Sequence, residues 1–208
     1  MTLLKKFQYW KLNKGRTEAF SDGVFAIIIT LLILEIKIPH LTNKTSSNEL
    51  MWALINLAPK IMSWAVSFFF IAVFWVQHHN LFRLADKIDY AFVWLNNFTL
   101  LFICFVPFPT AIMGEYPENR MAVLFFGAVV TIASFLQTCM YYYLTKHYLV
   151  AEYDKVSVSK NVRRSFMLAP LLLIIATGVS FIHILLPYLI YAVVPFFFLL
   201  PFDKEKGQ

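Results

Sequence analysis

Apolar residues in this chain come in long runs broken by short polar clusters. Residues 24–34 contain one polar side chain, Thr30, and residues 171–189 contain no Asp, Glu, Lys or Arg. Runs of this kind approach the ~20 apolar residues that carry a helix across the hydrocarbon core. The pattern predicts six membrane-crossing helices, at about 20–38, 61–82, 90–113, 121–143, 166–183 and 185–202, in one all-α integral membrane domain over 1–208. Prolines set the breaks. Pro39 stops the first run, while Pro59 and Lys60 put an interfacial turn ahead of the second. Pro107 and Pro109 remove backbone donors and kink or end the third; Pro187, Pro195 and Pro201 bound or bend the sixth. The fourth closes on Tyr141, Tyr142 and Tyr143, an aromatic belt suited to headgroup level. No repeat of 20–50 residues stands out, so the chain reads as a single repeat.

Composition agrees with this pattern. Hydrophobic types make up 60% of the 208 residues and charged types 14%, against about half and a quarter in soluble domains. Six spans of ~20 residues leave no stretch long enough for an appended soluble domain. A Gly-rich phosphate loop, CxxC and HExxH are all missing, so neither an enzyme nor a resident cofactor is expected. Cys104 and Cys139 fall inside apolar segments and read as small buried hydrophobes.

The net charge of +6 is explained by topology rather than by nucleic acid. With six spans, 14 of the 18 Lys and Arg fall on the side holding the termini and the loops after spans two and four. The positive-inside rule then puts both termini in the cytoplasm. Residues 1–19 read as a basic amphipathic lead-in at the membrane surface, not a cleavable signal. The 145–165 stretch is the longest polar loop, and the absence of targeting signals fits a bacterial inner membrane.

The densest polar cluster stands at the entrance to the first span: Arg16, Glu18, Ser21 and Asp22. Ser21 or Asp22 would cap a helix starting there; equally, Asp22 lies within the apolar run, where an ionisable group is a functional hypothesis. At 100° per residue, Phe20, Gly23, Ile27, Thr30, Leu31 and Leu34 share one stripe of that helix, and Ser21 and Asp22 turn away from it. Such a stripe by itself reads as lipid-facing or core. His78 and His79 end the second span; neighbours on a helix point 100° apart and do not readily chelate one ion. Asn96 and Asn97 open the third span on the same side, so Asp22, His78 and one asparagine can meet at one depth.

The stretch RTEAFSDGVFAIIIT at 16–30 resembles the RxxxFSD signature of the transmembrane protein 175 family of lysosomal potassium channels and bacterial relatives. WVQHHNLF at 75–82, Asn96–Asn97 and PFPT at 107–110 extend the resemblance. It implies a potassium-conducting cation channel, with permeant K+ and no cofactor, built as a homotetramer in the bilayer. It also implies a pore lined by the first helix of each subunit. By offset from the motif, Ile27 would form the narrowest ring, with Leu31 and Leu34 above it and Thr30 adding a layer of hydroxyls. Arg16, Phe20, Ser21, Asp22, Trp75, His78 and Asn97 would form the motif and its interhelical network, although the sequence does not separate Asn97 from Asn96. Glu35 near the outer mouth would concentrate cations. The alternative from another class is a proton- or ion-coupled secondary transporter in which Asp22 and His78 titrate; its usual signs, a midplane site and an inverted repeat, are not visible.

Overall fold

The computed structural model describes residues 13–147 and 160–199, and for 160–165 and 196–199 it describes the backbone. The first part of the basic lead-in, the middle of the 145–165 loop and the tail with Pro201 lie outside the described residues. All regular structure among the rest is helical: α1 (Lys14–Leu31, extended by a 3-10 turn at Leu32–Glu35), α2 (Ser47–Asn56), α3 (Ala58–Leu84), α4 (Tyr90–Phe105), α5 (Pro107–Glu115), α6 (Arg120–Lys146), α7 (Lys160–Gly178, extended by a 3-10 turn at Val179–Phe181) and α8 (Leu186–Leu199). Among the described residues, four stretches are long and apolar enough to cross a membrane: 14–35, 58–84, 90–115 and 120–146. Phe166–Phe181 and Leu186–Pro195 are apolar but shorter.

Several boundaries differ from the expected ones, each for a local reason. α1 begins six residues before the apolar run, because Asn13 caps it and its side chain accepts the Arg16 N–H at 3.2 Å. Ser21 and Asp22 are therefore interior helix residues and not caps. The stretch from 47 to 56 is a helix of its own: Ser46 accepts the Glu49 N–H at 3.2 Å, the first half of a capping box. The Glu49 carboxylate turns instead to the backbone N–H groups of Asn43 and Thr42, which hold its pKa below the usual value. None of α2 is buried. The break before the second span falls at Leu57, and Pro59 sits in the first turn of α3, where its missing N–H costs nothing. The third span does break at its prolines: α4 ends at Phe105 and Pro107 opens α5.

Contacts along the helices order the bundle. α1 runs antiparallel to α3, with the Lys14 Nζ on the Ala85 carbonyl (2.7 Å) at one end and Asp22 beside Trp75 further along. α7 runs antiparallel to α6, from Thr138 Oγ1 donating to the Phe166 carbonyl (2.6 Å) to Arg120 Nε donating to the Ser180 carbonyl (3.1 Å). That distance is 18 residues of α6, about 27 Å of helix. Tyr188 at the start of α8 donates to the Pro117 carbonyl at 2.9 Å, so the turns between α5 and α6 and between α7 and α8 share one end of the molecule.

Two apolar clusters form the core. The larger includes Phe25, Ile28, Leu32, Phe70, Phe74, Leu100, Ile103, Phe126 and Tyr191; the smaller includes Leu81, Phe82, Phe92, Met140, Tyr141, Leu144 and Phe166. Between them, on α3, α4 and α6 alike, lies a layer of buried polar side chains: His78, Asn96, Thr99 and Gln137. Gln137 donates to the Phe74 carbonyl (2.9 Å), and Thr99 hydrogen-bonds the Leu95 carbonyl (2.9 Å).

Candidate functional site around the first helix

The two faces of α1 meet different surroundings. Ser21, Phe25, Ile28 and Leu32 are buried against α3 and α4. On the opposite face Phe20, Gly23, Ile27, Thr30, Leu31 and Leu34 are exposed, with 60% of Ile27, 46% of Leu31 and 59% of Leu34 uncovered by their own chain. Beyond Asp22 both faces of α1 are apolar, so hydrophobicity does not separate them and the division is a property of packing. The Thr30 hydroxyl donates back to its own helix, at the carbonyls of Ile27 (2.8 Å) and Ala26 (3.1 Å). Its proton is thus taken, and toward the exposed side the oxygen can act only as an acceptor.

The polar layer reaches α1 through a short relay of hydrogen bonds. Ser21 Oγ donates to the Thr17 carbonyl (2.9 Å) and accepts from Asn96 Nδ2 (3.0 Å); Asn96 Oδ1 lies 2.7 Å from His78 Nε2. The donor order fixes the rest. With the Ser21 proton committed to Thr17, Asn96 must turn its amide NH2 to Ser21 and its oxygen to His78, so Nε2 carries the His78 proton. His78 Nδ1 is buried without a partner among the described residues. The His78 ring is clamped between Phe25 (centroids 5.3 Å) and Phe82 (4.6 Å, stacked).

A second tie lies at the surface of the same level. Trp75 Nε1 donates to Asp22 Oδ1 at 2.9 Å, the Trp75 ring stacks on His79, and His79 Nδ1 stands 3.8 Å from Glu18 Oε1. Every side-chain hydrogen bond or ion pair from α1 to another described element involves Lys14, Glu18, Ser21 or Asp22. Beyond Asp22, among the described residues, the helix is held to the bundle by packing, with Phe25, Ile28 and Leu32 in the core and the Phe25 ring also against His78.

The expected network is therefore assembled in part. Ser21, Asp22, Trp75 and His78 come together; the asparagine among them is Asn96, which is fully buried, and not Asn97, which is half-buried and one helical step away. Arg16 is exposed, with no side-chain partner among the described residues, so it does not tie α1 to α3 or α4 within the chain. Replacing Asn96 with Leu leaves Ser21 and His78 without their shared partner in a dry layer, a loss of about 1–3 kcal/mol. Asn97→Leu should change stability by less than about 0.5 kcal/mol. Thermal unfolding of the two variants in detergent checks the difference, and equal melting points would reject the relay.

Glu35 stands at the other end of α1. It lines a cavity of about 290 Å³ with Lys37, Lys60, Trp64, Glu115 and Tyr116, where Lys60 and Glu115 form an ion pair. Residues that sequence reasoning passed over include Gly127, on whose face of α6 the Thr177 and Tyr191 hydroxyls, 2.7 Å apart, are packed. Among the described residues no group of three His, Cys, Asp or Glu is placed to hold a metal.

Comparison with known proteins bears on both motif and fold. Residues 16–107, from Arg16 of the motif to the proline that opens α5, match the family described as endosomal/lysosomal potassium channel TMEM175. A potassium channel of Chamaesiphon minutus is 38% identical over 175 residues, which is 82% of this chain and 85% of that one. An endosomal/lysosomal proton channel TMEM175 of Danio rerio is 27% identical over 191 residues, covering 88% of this chain and 36% of the much longer fish protein. The crystal structure of a lysosomal potassium-selective channel TMEM175 homolog from Chamaesiphon minutus superimposes with a TM-score of 0.78 at 35% identity, covering 89% of this chain and 96% of that one. Sequence and fold agree over most of the length of the Chamaesiphon minutus relative, and the chain belongs to the TMEM175 family.

Proposed function

We propose that this protein is a potassium-conducting cation channel whose pore is lined by α1 from each of four identical subunits, with Ile27 at the neck. The observation that carries the reading is the uncovered apolar stripe of α1, whose other face is buried. A helix inside a bundle that leaves Ile27, Leu31 and Leu34 open is suited to meet its own copies around an axis. Four Ile27 side chains there would form a neck in which an ion loses hydration without gaining ligands, and such constrictions gate pores by dewetting. Thr30, one turn beyond, would offer a ring of oxygens. The names of the relatives support ion conduction, and the family is one of channels rather than enzymes.

Six spans with both termini cytoplasmic belong to the same proposal. The antiparallel run of α7 along about 27 Å of α6 supports a fifth crossing, and the return of α8 against α3 supports a sixth. Lys and Arg then collect at the end holding Lys14 and Lys146, the cytoplasmic one in a bacterial inner membrane. Opening would require the α1 helices to splay or rotate at Ile27.

Purified protein in liposomes under an outward potassium gradient tests the proposal. Passive potassium flux that needs no proton gradient is the expected result. Flux that saturates and requires an opposing proton gradient would reject the pore and favour the transporter alternative built on Asp22 and His78.

A further inference from the structure

A groove of about 950 Å³ runs along α6 and is lined by Phe135, Thr138, Cys139, Tyr142, Lys146 and, from α7, Met167. From Phe135 to Lys146 the helix rises about 16 Å. That is close to half of the ~30 Å hydrocarbon thickness, the depth of one leaflet. The lining changes along this length in the order in which a phospholipid does. Phe135 and Cys139 are apolar, Tyr142 belongs to the aromatic belt, and the Lys146 ammonium stands at the open end.

Lys146 supplies a cation at that end. Asp89, the acid on the facing turn between α3 and α4, is already engaged by the Tyr143 hydroxyl (2.6 Å) and the Phe92 N–H (2.9 Å). Lys146 has no ion pair among the described residues. We propose that this groove binds a membrane phospholipid with an anionic headgroup, its acyl chain along Phe135 to Tyr142 and its phosphate against Lys146. The site rests on α6 spanning the bilayer and is independent of where the pore lies.

The full chain, taken from nanodiscs holding equal amounts of phosphatidylglycerol and phosphatidylcholine with matched acyl chains, is examined by native mass spectrometry. Phosphatidylglycerol should be retained about fivefold over phosphatidylcholine, the effect of roughly one basic side chain near an anionic surface. Lys146→Gln should bring the ratio close to one, and Cys139→Trp, which fills the groove, should lower retention of both lipids. A ratio near one in the native chain, or a preference that survives both variants, overturns the site. Alkylation of Cys139 in a Cys104→Ala background gives a second reading without altering the groove. The reaction should be fast in lipid-free detergent and slowed several-fold by phosphatidylglycerol. A Cys139 that stays unreactive in every condition means that protein covers the groove, from this chain or a second copy, and also overturns the proposal.

Discussion

Ile27→Asn should raise passive potassium flux out of liposomes about tenfold or more over the native chain. If the neck is a dewetted ring, an amide at each of four positions gives water and the ion partners where there were none. Lowering the barrier by about 1.4 kcal/mol is enough for a factor of ten. The variant is informative because Ile27 contributes little to the folding of its own subunit, where it is 60% exposed. Its neighbour provides the contrast. Ile28 is buried against the core, and Ile28→Asn puts an unpartnered amide into that core, with a loss of several kcal/mol and no gain in flux. Flux that is unchanged by Ile27→Asn while native-like folding persists would remove Ile27 from the neck.

Gly127→Ala should lower stability by about 2–3 kcal/mol, read as a large fall in melting temperature in detergent. A Cβ at this position would fall inside the contact radii of Thr177 and Tyr191, whose hydroxyls bond each other where α7 and α8 press on α6. Backbone on one side and a hydrogen-bonded pair on the other leave little room to relax. A double variant with Thr177→Ala removes part of the clash, so the two changes should be less harmful together than the sum of their single effects. Gly23→Ala is the control. Nothing lies within 4 Å of a Cβ there, and the substitution should be neutral or stabilise α1 by up to about 1 kcal/mol. A loss at Gly23 as large as at Gly127 would mean that close packing at Gly127 is not the cause.

What the sequence made legible divides along a physical line. Runs of apolar residues and the prolines between them located the long helices, because hydrocarbon imposes length and hydrophobicity on anything that crosses it. Hydrophobicity marks where lipid begins and not where helical hydrogen bonding begins, which is why α1 starts at Lys14, ahead of its apolar run at Phe20. The signal for the true start was a single Asn13. In α2 the signal was Ser46 followed by Glu49, hidden by the apolar run that continues into α3.

Asn96 and Asn97 were not separable in the sequence for a related reason. Phe92, Asn96, Leu100 and Ile103 form the buried stripe of α4, while Trp94, Phe98, Leu101 and Phe105 form its exposed one. In water the second stripe would be polar and the asparagines would sort themselves. In lipid both stripes are apolar, and only packing tells core from surface. The same symmetry explains why the α1 stripe could be written down from spacing but its surroundings could not.

The placement of polar ties along α1 has a mechanical consequence. Hydrogen bonds and ion pairs constrain direction as well as distance, and among the described residues those from α1 side chains to other elements stop at Asp22. From there to Glu35 the helix touches its own subunit through Phe25, Ile28 and Leu32, contacts that tolerate sliding and small rotations. α1 is thus a cantilever, clamped over its first two turns and compliant over the remainder. The end of the clamp lies about 7.5 Å below Ile27, so a tilt of a few degrees about that point shifts Leu34 more than Ile27. Bending stiffness, and not the strength of any one bond, sets how far this helix moves under load.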